Sequence, residues 1–466
     1  MKRKKLTVCL LGAAMVSSLF TAGCGQKTKD PVTVSVWTYY NGDQLEAFND
    51  LVDKFNDTTG KEKGITVESQ SLGTVEELEK SVLAAANGEV GAEDVPNIFS
   101  AYADTANTMN QKDMIVNLSD YLTDKEKDAY VEEYLREGDF SDDGSIRIFP
   151  TAKSTELLFL NDTDWQKFAE ATGVAYRDLE TIEGLVAVAE KYYEWTDSQT
   201  PEENDGRALF GRDAMANYML VGAEELGCNI FDVKDGKMTL NFDEDVIRKL
   251  WDNYYVPFVK GYFAASGRFR SDDIKTGNVI SYVGSTSSAT FFPTVVSIDD
   301  DQTYNIDLKV LPCPKFKGGE DWAVQQGAGM VVTKASEDEI RASVEFLKWF
   351  TEAENNIAFS VESGYLPVTK DANNMDKIKS VDSDLDDSMS EILTEAVAQV
   401  NNSTLYSMKV FPDGNSARSI LETSMSDIAA ADRETVLERI SQGQSVEEAE
   451  ADFLSDEYFE EWYKDI

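Results

Sequence analysis

The chain has 466 residues, 42% of them hydrophobic, a length and composition that predict two or three compact lobes with sizeable cores rather than one small module or a disordered tail. With 43 Lys and Arg against 86 Asp and Glu, the formal charge of -43 speaks against nucleic acid or an anionic bilayer as partner, because phosphate binding is driven by basic side chains. The absence of histidine removes Ser-His-Asp and Cys-His catalysis and the zinc-protease helix, so any acid-base chemistry would fall to carboxylates.

At the N-terminus, Lys2, Arg3, Lys4 and Lys5 precede an apolar run over residues 6–20, too short for a comfortable membrane span and read as a secretion signal. The run closes on Thr21, Ala22, Gly23 and Cys24, which resembles the lipobox of bacterial lipoproteins, with Thr21 where leucine is usual. The resemblance implies that residues 1–23 are removed, that Cys24 carries an acyl anchor such as palmitate, and that residues 24–31 form a polar tether; an ordinary cleaved signal is the alternative. Cys9 leaves with the signal, so Cys228 and Cys313 are expected as buried thiols rather than a bridge or metal motif.

Val32, Val34 and Val36 alternate with Thr33 and Ser35 as in a strand. Leu45, Phe48, Leu51, Val52 and Phe55 then recur at helical spacing, with Asp43 and Glu46 as a capping box. A strand over 65–69, a helix over 75–86 capped by Thr74 and Glu77, and a strand over 97–101 extend an alternation that predicts α/β units on a mostly parallel sheet. Residues 146–149 and 157–161 read as consecutive strands, and Thr163 with Gln166 caps a helix stopping at Gly173. Asp235-Gly236 reads as a hairpin turn, and residues 196–206, 299–302 and 371–387 as loops. Strands over 279–283, 306–311 and 329–333, a helix capped by Ser336 and Glu339, and a last helix capped by Ser445 and Glu448 complete the chain. Asp139, Ser141, Asp143 and Gly144 echo a calcium loop, but Pro150 stands where its glutamate belongs, so an Asp-Asp-Gly turn is the better account. No metal and no cofactor are expected.

Several of these segments carry a more specific likeness. VTVSVWTYYNGDQLEAFNDLVDKFNDTTG, VPNIFSAYADTANTMNQKDMIVNLSDYL, SIRIFPTAKSTELLFLNDTDWQKFAEATG, GNVISYVGSTSSATFF and the stretch from KVLPCPKF to GYLPVTKDA occur in that order. Together they resemble the family 1 extracellular solute-binding proteins, the maltose-binding-like receptors of ABC importers, over nearly all of residues 32–375, with Asn97 in place of the usual aspartate. The resemblance implies an α/β, two-lobed periplasmic-binding-protein-like fold whose hinge closes over a ligand in the interlobe cleft. Its lobes would be residues 32–152 plus 304–362 and residues 153–303 plus 363–466.

Ligands in open α/β sheets bind beyond the carboxyl ends of the strands, which singles out Trp37, Tyr39, Tyr40 and Asn41 after the first strand. Rings suit the C–H faces of sugars and amides pair with hydroxyls, although Trp37 or Tyr40 could equally pack in the core. Tyr102 and Asp104 follow a neighbouring strand, Asp104 being either a hydroxyl acceptor or a helix cap. Ser154, Thr155 and Glu156 stand at the proposed crossing, with Gly284, Ser285, Thr286 and Ser287 at a strand end. Gly327 and Gly329 mark a close backbone approach or a plain turn, and Tyr365 lies in the Gly-Tyr-Leu-Pro segment. Arg212 with Asp213, and Arg268 with Arg270, either pair with surface carboxylates or bring positive charge to the cleft.

The function implied is a monomeric, non-enzymatic receptor, lipid-anchored to the outer face of the cytoplasmic membrane of a Gram-positive bacterial cell, that captures a carbohydrate and delivers it to ABC permease subunits in the membrane. Its rivals are a receptor for an anionic sugar or sugar phosphate, a secreted glycosidase working with two carboxylates, and an adhesin with an exposed apolar patch.

Overall fold

The computed structural model describes residues 31–234, 236–298 and 302–466. The signal, Cys24, most of the tether, Asp235 of the expected hairpin turn and residues 299–301 of one expected loop lie outside the described residues.

Two four-stranded sheets organise the chain. In the first, β1 (Val32–Thr38) lies between β2 (Ile65–Ser71) and β3 (Ile98–Ala101), parallel to both, with Val32 opposite Ile65 and Val36 opposite Ile98. In the second, β4 (Glu156–Asn161) is antiparallel to β6 (Ser281–Ser285) on one side and to β7 (Leu308–Pro312) on the other, while β5 (Phe210–Arg212) runs parallel to β6 at the edge. The chain then returns to the first sheet as β8 (Gly329–Val332), antiparallel to β3.

Strand β4 shows how composition sets this arrangement. Every residue of Glu156–Asn161 is buried, the continuous run expected of a strand covered on both faces. Successive side chains alternate sides, so Leu158 and Leu160 join a core with Trp165, Phe210 and Trp251, whereas Leu157 and Phe159 join another with Tyr282, Ile392 and Leu393. Around the first sheet, Val34, Val36, Phe48, Phe55, Phe346 and Phe359 form a separate core.

The helices that frame the site are α1 (Gly42–Phe55), α2 (Val75–Asn87) and α3 (Ala103–Gln111) beside the first sheet. Beside the second is α4 (Met215–Glu225). Next come α5 (Glu337–Phe350) and α6 (Ala353–Ser363), then α7 (Asp387–Asn402) and α8 (Gly414–Ser441). Capping boxes form at Thr74–Glu77, Ser336–Glu339 and Ser445–Glu448 as expected. Among the described residues no helix is long and apolar enough to cross a membrane.

Six local expectations change, one being residues 371–387, expected as a loop, which hold a helix over Met375–Val381. α1 starts at Gly42, whose φ of +52° suits glycine, and Asn41 rather than Asp43 holds the cap position, without a side-chain cap bond. The helix expected to be capped by Thr163 is capped by Asn161, whose side chain accepts from the Asp164 amide at 3.2 Å. Residues 146–149 make one isolated pair, Phe149 with Met330, instead of a strand. The last helix is two, Val446–Glu450 and Asp456–Asp465, the second capped by Ser455. Leu308–Pro312, expected with the first lobe, belongs to the second sheet, because Val310 fills the core beside Phe159 and Tyr282.

The calcium-like segment is a turn, in which both Asp139 carboxylate oxygens accept backbone amides, from Asp143 at 3.0 Å and Gly144 at 2.8 Å. Cys228 and Cys313 are free thiols. Between the two sheets the crossing strands touch through isolated pairs, Lys153 with Leu366 and Ser154 with Gln326. The wholly buried Lys153 pairs there with Glu137 and donates to the Gly327 carbonyl at 2.8 Å.

Candidate functional site

A cavity of about 530 Å³ opens between elements of the two sheets. From the first come Val75 and Glu79 of α2, Tyr102, and Asp104 in the first turn of α3. From the second come Asn217 of α4 and Arg418 and Glu422 of α8. Its remaining wall is made by Val324, Gln325 and Gln326 at the crossing, with Tyr406, Ser407 and Met408 alongside.

The second wall is a bonded chain of polar groups. Arg418 Nη2 donates to Asn217 Oδ1 at 2.7 Å, and Asn217 Nδ2 donates to Glu156 Oε1 at 2.7 Å. Arg212 closes the chain on the other Glu156 oxygen at 2.5 Å, with both partners buried. Glu422 accepts the Met215 and Ala216 amides at 3.1 and 2.8 Å, satisfying donors left open at the start of α4 and meeting the positive end of its dipole.

Opposite this wall, Asp104 lies so near α8 that a Cβ added at Gly414 would stand 3.4 Å from its carboxylate. Burial, reinforced by Glu79 and opposed by Arg418, pushes the Asp104 carboxyl up to about 6. Tyr102, 39% exposed, presents its ring beside it.

Of the residues singled out in the sequence, the structure brings Tyr102 and Asp104 to this cavity and leaves the others off its walls. Trp37 packs among Leu78, Val82 and Phe99, and Tyr40 among Phe48 and Phe359 with ring centroids 5.4 Å away in each case. Asn41 is exposed, and Tyr39 bonds through its hydroxyl to that of Tyr365 at 3.1 Å, the Tyr365 ring stacking on Phe359. Ser154 pairs with Gln326 through the backbone and with the Ser285 hydroxyl at 3.1 Å; Thr155 accepts from Gln399 at 2.9 Å. Thr286 is fully buried. Gly327 has φ +90°, and a side chain there would meet the Ala152 carbonyl at 2.8 Å, so close chain packing explains it. Gly329 is crowded likewise by Ile148.

The arginines separate. Arg212 is consumed by Glu156, and Arg270 by Asp273 at 2.5 Å, its own backbone amide donating to Asp213 at 2.9 Å. Arg268 lies over the Phe269 ring. The arginine that does reach the cavity, Arg418, sits on a mostly polar helix beyond the blocks that carried the resemblance. Gln325 and Gln326 were within those blocks, yet an uncharged amide pair carries no motif that would mark it.

Residues 50–383 match the sequence profile described as bacterial extracellular solute-binding protein. This chain belongs to that family. No curated protein matches the solute-binding chain in sequence. Its fold matches UgpB from Mycobacterium tuberculosis in complex with glycerophosphocholine, at TM-score 0.66 and 20% identity over 90% of this chain and 96% of that one. It also matches the cyclic alpha-maltosyl-1,6-maltose binding protein from Arthrobacter globiformis, at TM-score 0.65 and 17% identity over 90% and 96%. The ABC substrate-binding protein Lmo0181 from Listeria monocytogenes in complex with cycloalternan gives TM-score 0.63 and 16% identity over 90% and 96%. The solute-binding fold is therefore the two-lobed one of these receptors.

Proposed function

We propose that this solute-binding protein captures an uncharged carbohydrate outside the cell and hands it to the membrane subunits of an ABC importer, without breaking a bond. The observation that carries the reading is the cavity between the sheets, whose volume of about 530 Å³ falls among those of small-molecule sites. Its walls offer tyrosine rings for sugar faces and amides, hydroxyls and carboxylates for sugar hydroxyls. Ligand contacts to both walls would favour the closed arrangement over the open one, which is what a permease needs in order to tell loaded from empty receptor. The cyclic maltosyl, cycloalternan and maltotriose ligands named for structural neighbours agree with this chemistry.

An anionic ligand fits the walls less well. Among the described residues Arg418 is the one cation on them, tied to Asn217, against Glu79, Asp104, Glu137 and Glu422. In our reading the signal directs export and is removed, and the acylated Cys24 tethers the receptor to the outer face of the cytoplasmic membrane, with residues 32–152 and 329–368 forming one lobe and most of the remainder the other. Isothermal titration of the purified protein with maltose, maltotriose, mannotriose and cyclic glucans, beside glucose 6-phosphate and glucuronate, tests the assignment. Heat of binding with a neutral sugar is expected; silence with every neutral sugar defeats it.

A further inference from the structure

Glu137 follows the short helix Glu132–Arg136, and its side chain, 10% exposed, is part of the cavity wall. The residue after it fixes its place. A Cβ added at Gly138 would stand 2.5 Å from the Ile148 amide nitrogen, and the Gly138 carbonyl accepts from the Arg147 amide at 3.1 Å. Behind Glu137 lies Lys153, whose side chain is wholly buried and does not line the cavity. Its ammonium donates to Glu137 Oε2 and to the Gly327 carbonyl at 2.8 Å, while its backbone exchanges bonds with Leu366 at 3.1 and 2.5 Å. One carboxylate oxygen is thus held from behind. The other, Oε1, accepts no hydrogen bond among the described residues, yet it is not sealed from solvent as the partnerless Gln325 amide is. Burial, Tyr365 and then Glu137 raise the Tyr102 hydroxyl, so the carboxylate stands near that ring of the same wall.

We propose that Glu137 is a specificity-determining residue whose free carboxylate oxygen accepts a hydrogen bond from one hydroxyl of the sugar, and that Lys153 is its positioning residue. This rests on the carbohydrate reading above and names what one point of the cavity selects. Stability alone does not account for the pair, since apolar side chains of similar volume hold a protein interior as well as a buried ion pair or better. What the pair adds is an acceptor of fixed direction on the wall of the site. An ionised carboxylate accepts and does not donate, so the group opposite must carry a hydrogen: a free hydroxyl fits, whereas a phosphate, a carboxylate or an O-methyl group does not. Hydrogen bonds to a charged group are about twice as strong as neutral ones. A site built to pair a hydroxyl rejects a ligand that lacks it more sharply than an apolar pocket rejects a misfit, because the site's own polar group is then stranded.

The test compares wild type with the double variant Lys153→Met, Glu137→Leu, which removes both charges together and so strands neither. Each protein is titrated calorimetrically with the tightest neutral sugar found among maltose, maltotriose and mannotriose, and with its monodeoxy analogues, one hydroxyl missing at a time. In wild type one analogue should bind at least tenfold more weakly than the parent sugar. In the double variant the parent should lose at least tenfold, and that same analogue should bind within twofold of it. Parent affinity within twofold of wild type overturns the proposal and leaves the carbohydrate reading standing. A weakened parent with every analogue penalty unchanged also overturns it, since the pair would then shape the cavity without touching the ligand. Lys153→Met with Glu137→Gln, which keeps the length of the second side chain, serves if the leucine variant fails to fold. With a neutral acceptor the penalty for the missing hydroxyl should shrink at least threefold, and an unchanged penalty overturns the proposal. Silence with every neutral sugar defeats the carbohydrate reading and this one with it.

Discussion

The loops after β1 and β3 leave adjacent parallel strands at the same end of one sheet, and both begin with aromatic and polar side chains. One becomes core and the other becomes cavity wall. Both strands lie inside the sheet, but the end of β1 is roofed by α1 and by the segment after α6, so that Tyr40 is enclosed by Phe48, Phe359 and Tyr365. After β3 the chain turns directly into α3, whose first residues line the cavity and approach α8 at Gly414. Identical local chemistry at two strand ends therefore says little about ligand contact; what later chain segments lay over each end decides it.

That contrast can be broken or sharpened in order of effect. Replacing Glu156 with leucine strands the buried Arg212 charge, which typically costs about 3 to 5 kcal/mol; chemical denaturation should show a loss of that size. Tyr40→Ala opens a cavity in the first core and should cost about 3 kcal/mol or more, while sugar affinity, measured on the folded fraction, stays within twofold. Tyr102→Ala should do the reverse. Its unfolding midpoint should move little, and the lost aromatic contact, on the order of 1 kcal/mol, should weaken sugar binding several-fold in titration. If Tyr40→Ala were the variant that lost binding and Tyr102→Ala the one that lost stability, the assignment of the two loops would be reversed.

A pH series tests the same sites electrostatically. Burial raises the carboxyls of Asp104 and Asp213 to about 6 and those of Glu224 and Glu225 to about 7. Each holds its proton more tightly folded than unfolded, so the native state takes up protons as pH falls from about 7 toward the ordinary carboxylate range, and stability rises across that window. The melting temperature should accordingly be higher at pH 5.5 than at pH 8, and Asp104→Asn should flatten part of the slope. Glu126, held down to about 2 by Lys348 and Thr123, works in the opposite sense only at much lower pH. The smallest effect is expected from Lys409→Ala, because the Lys409–Asp142 pair at 3.1 Å is exposed at both ends and such pairs contribute about 0 to 1 kcal/mol.

The fold was largely legible in the residues, because periodicity and capping act locally. The valine alternation of β1, the apolar run of β4 and the boxes at Thr74, Ser336 and Ser445 each report the element they build. Of the residues singled out in the sequence, Tyr102 and Asp104 line the candidate cavity, where a strand end passes straight into a helix. Trp37 and Tyr40 misled because a ring suits a core and a sugar face equally. Arg418 and Glu422 could not be read at all, since α8 exposes a polar surface along most of its length and its approach to α3 is purely tertiary. The membership of Leu308–Pro312 was hidden for a similar reason, a short apolar strand being acceptable to either sheet.

The stitches between the two sheets have a mechanical consequence. Lys153 with Leu366 and Ser154 with Gln326 are single rungs, neither backed by a full ladder. A lone rung resists stretching along its hydrogen bonds but offers little torque against tilting, so this junction should behave as a torsion spring, stiff to sliding and soft to twist. Tyr102 and Arg418 stand on the bodies to either side of this junction. A ligand held near the junction would then stay put while the tyrosine and arginine walls rotate in to meet it.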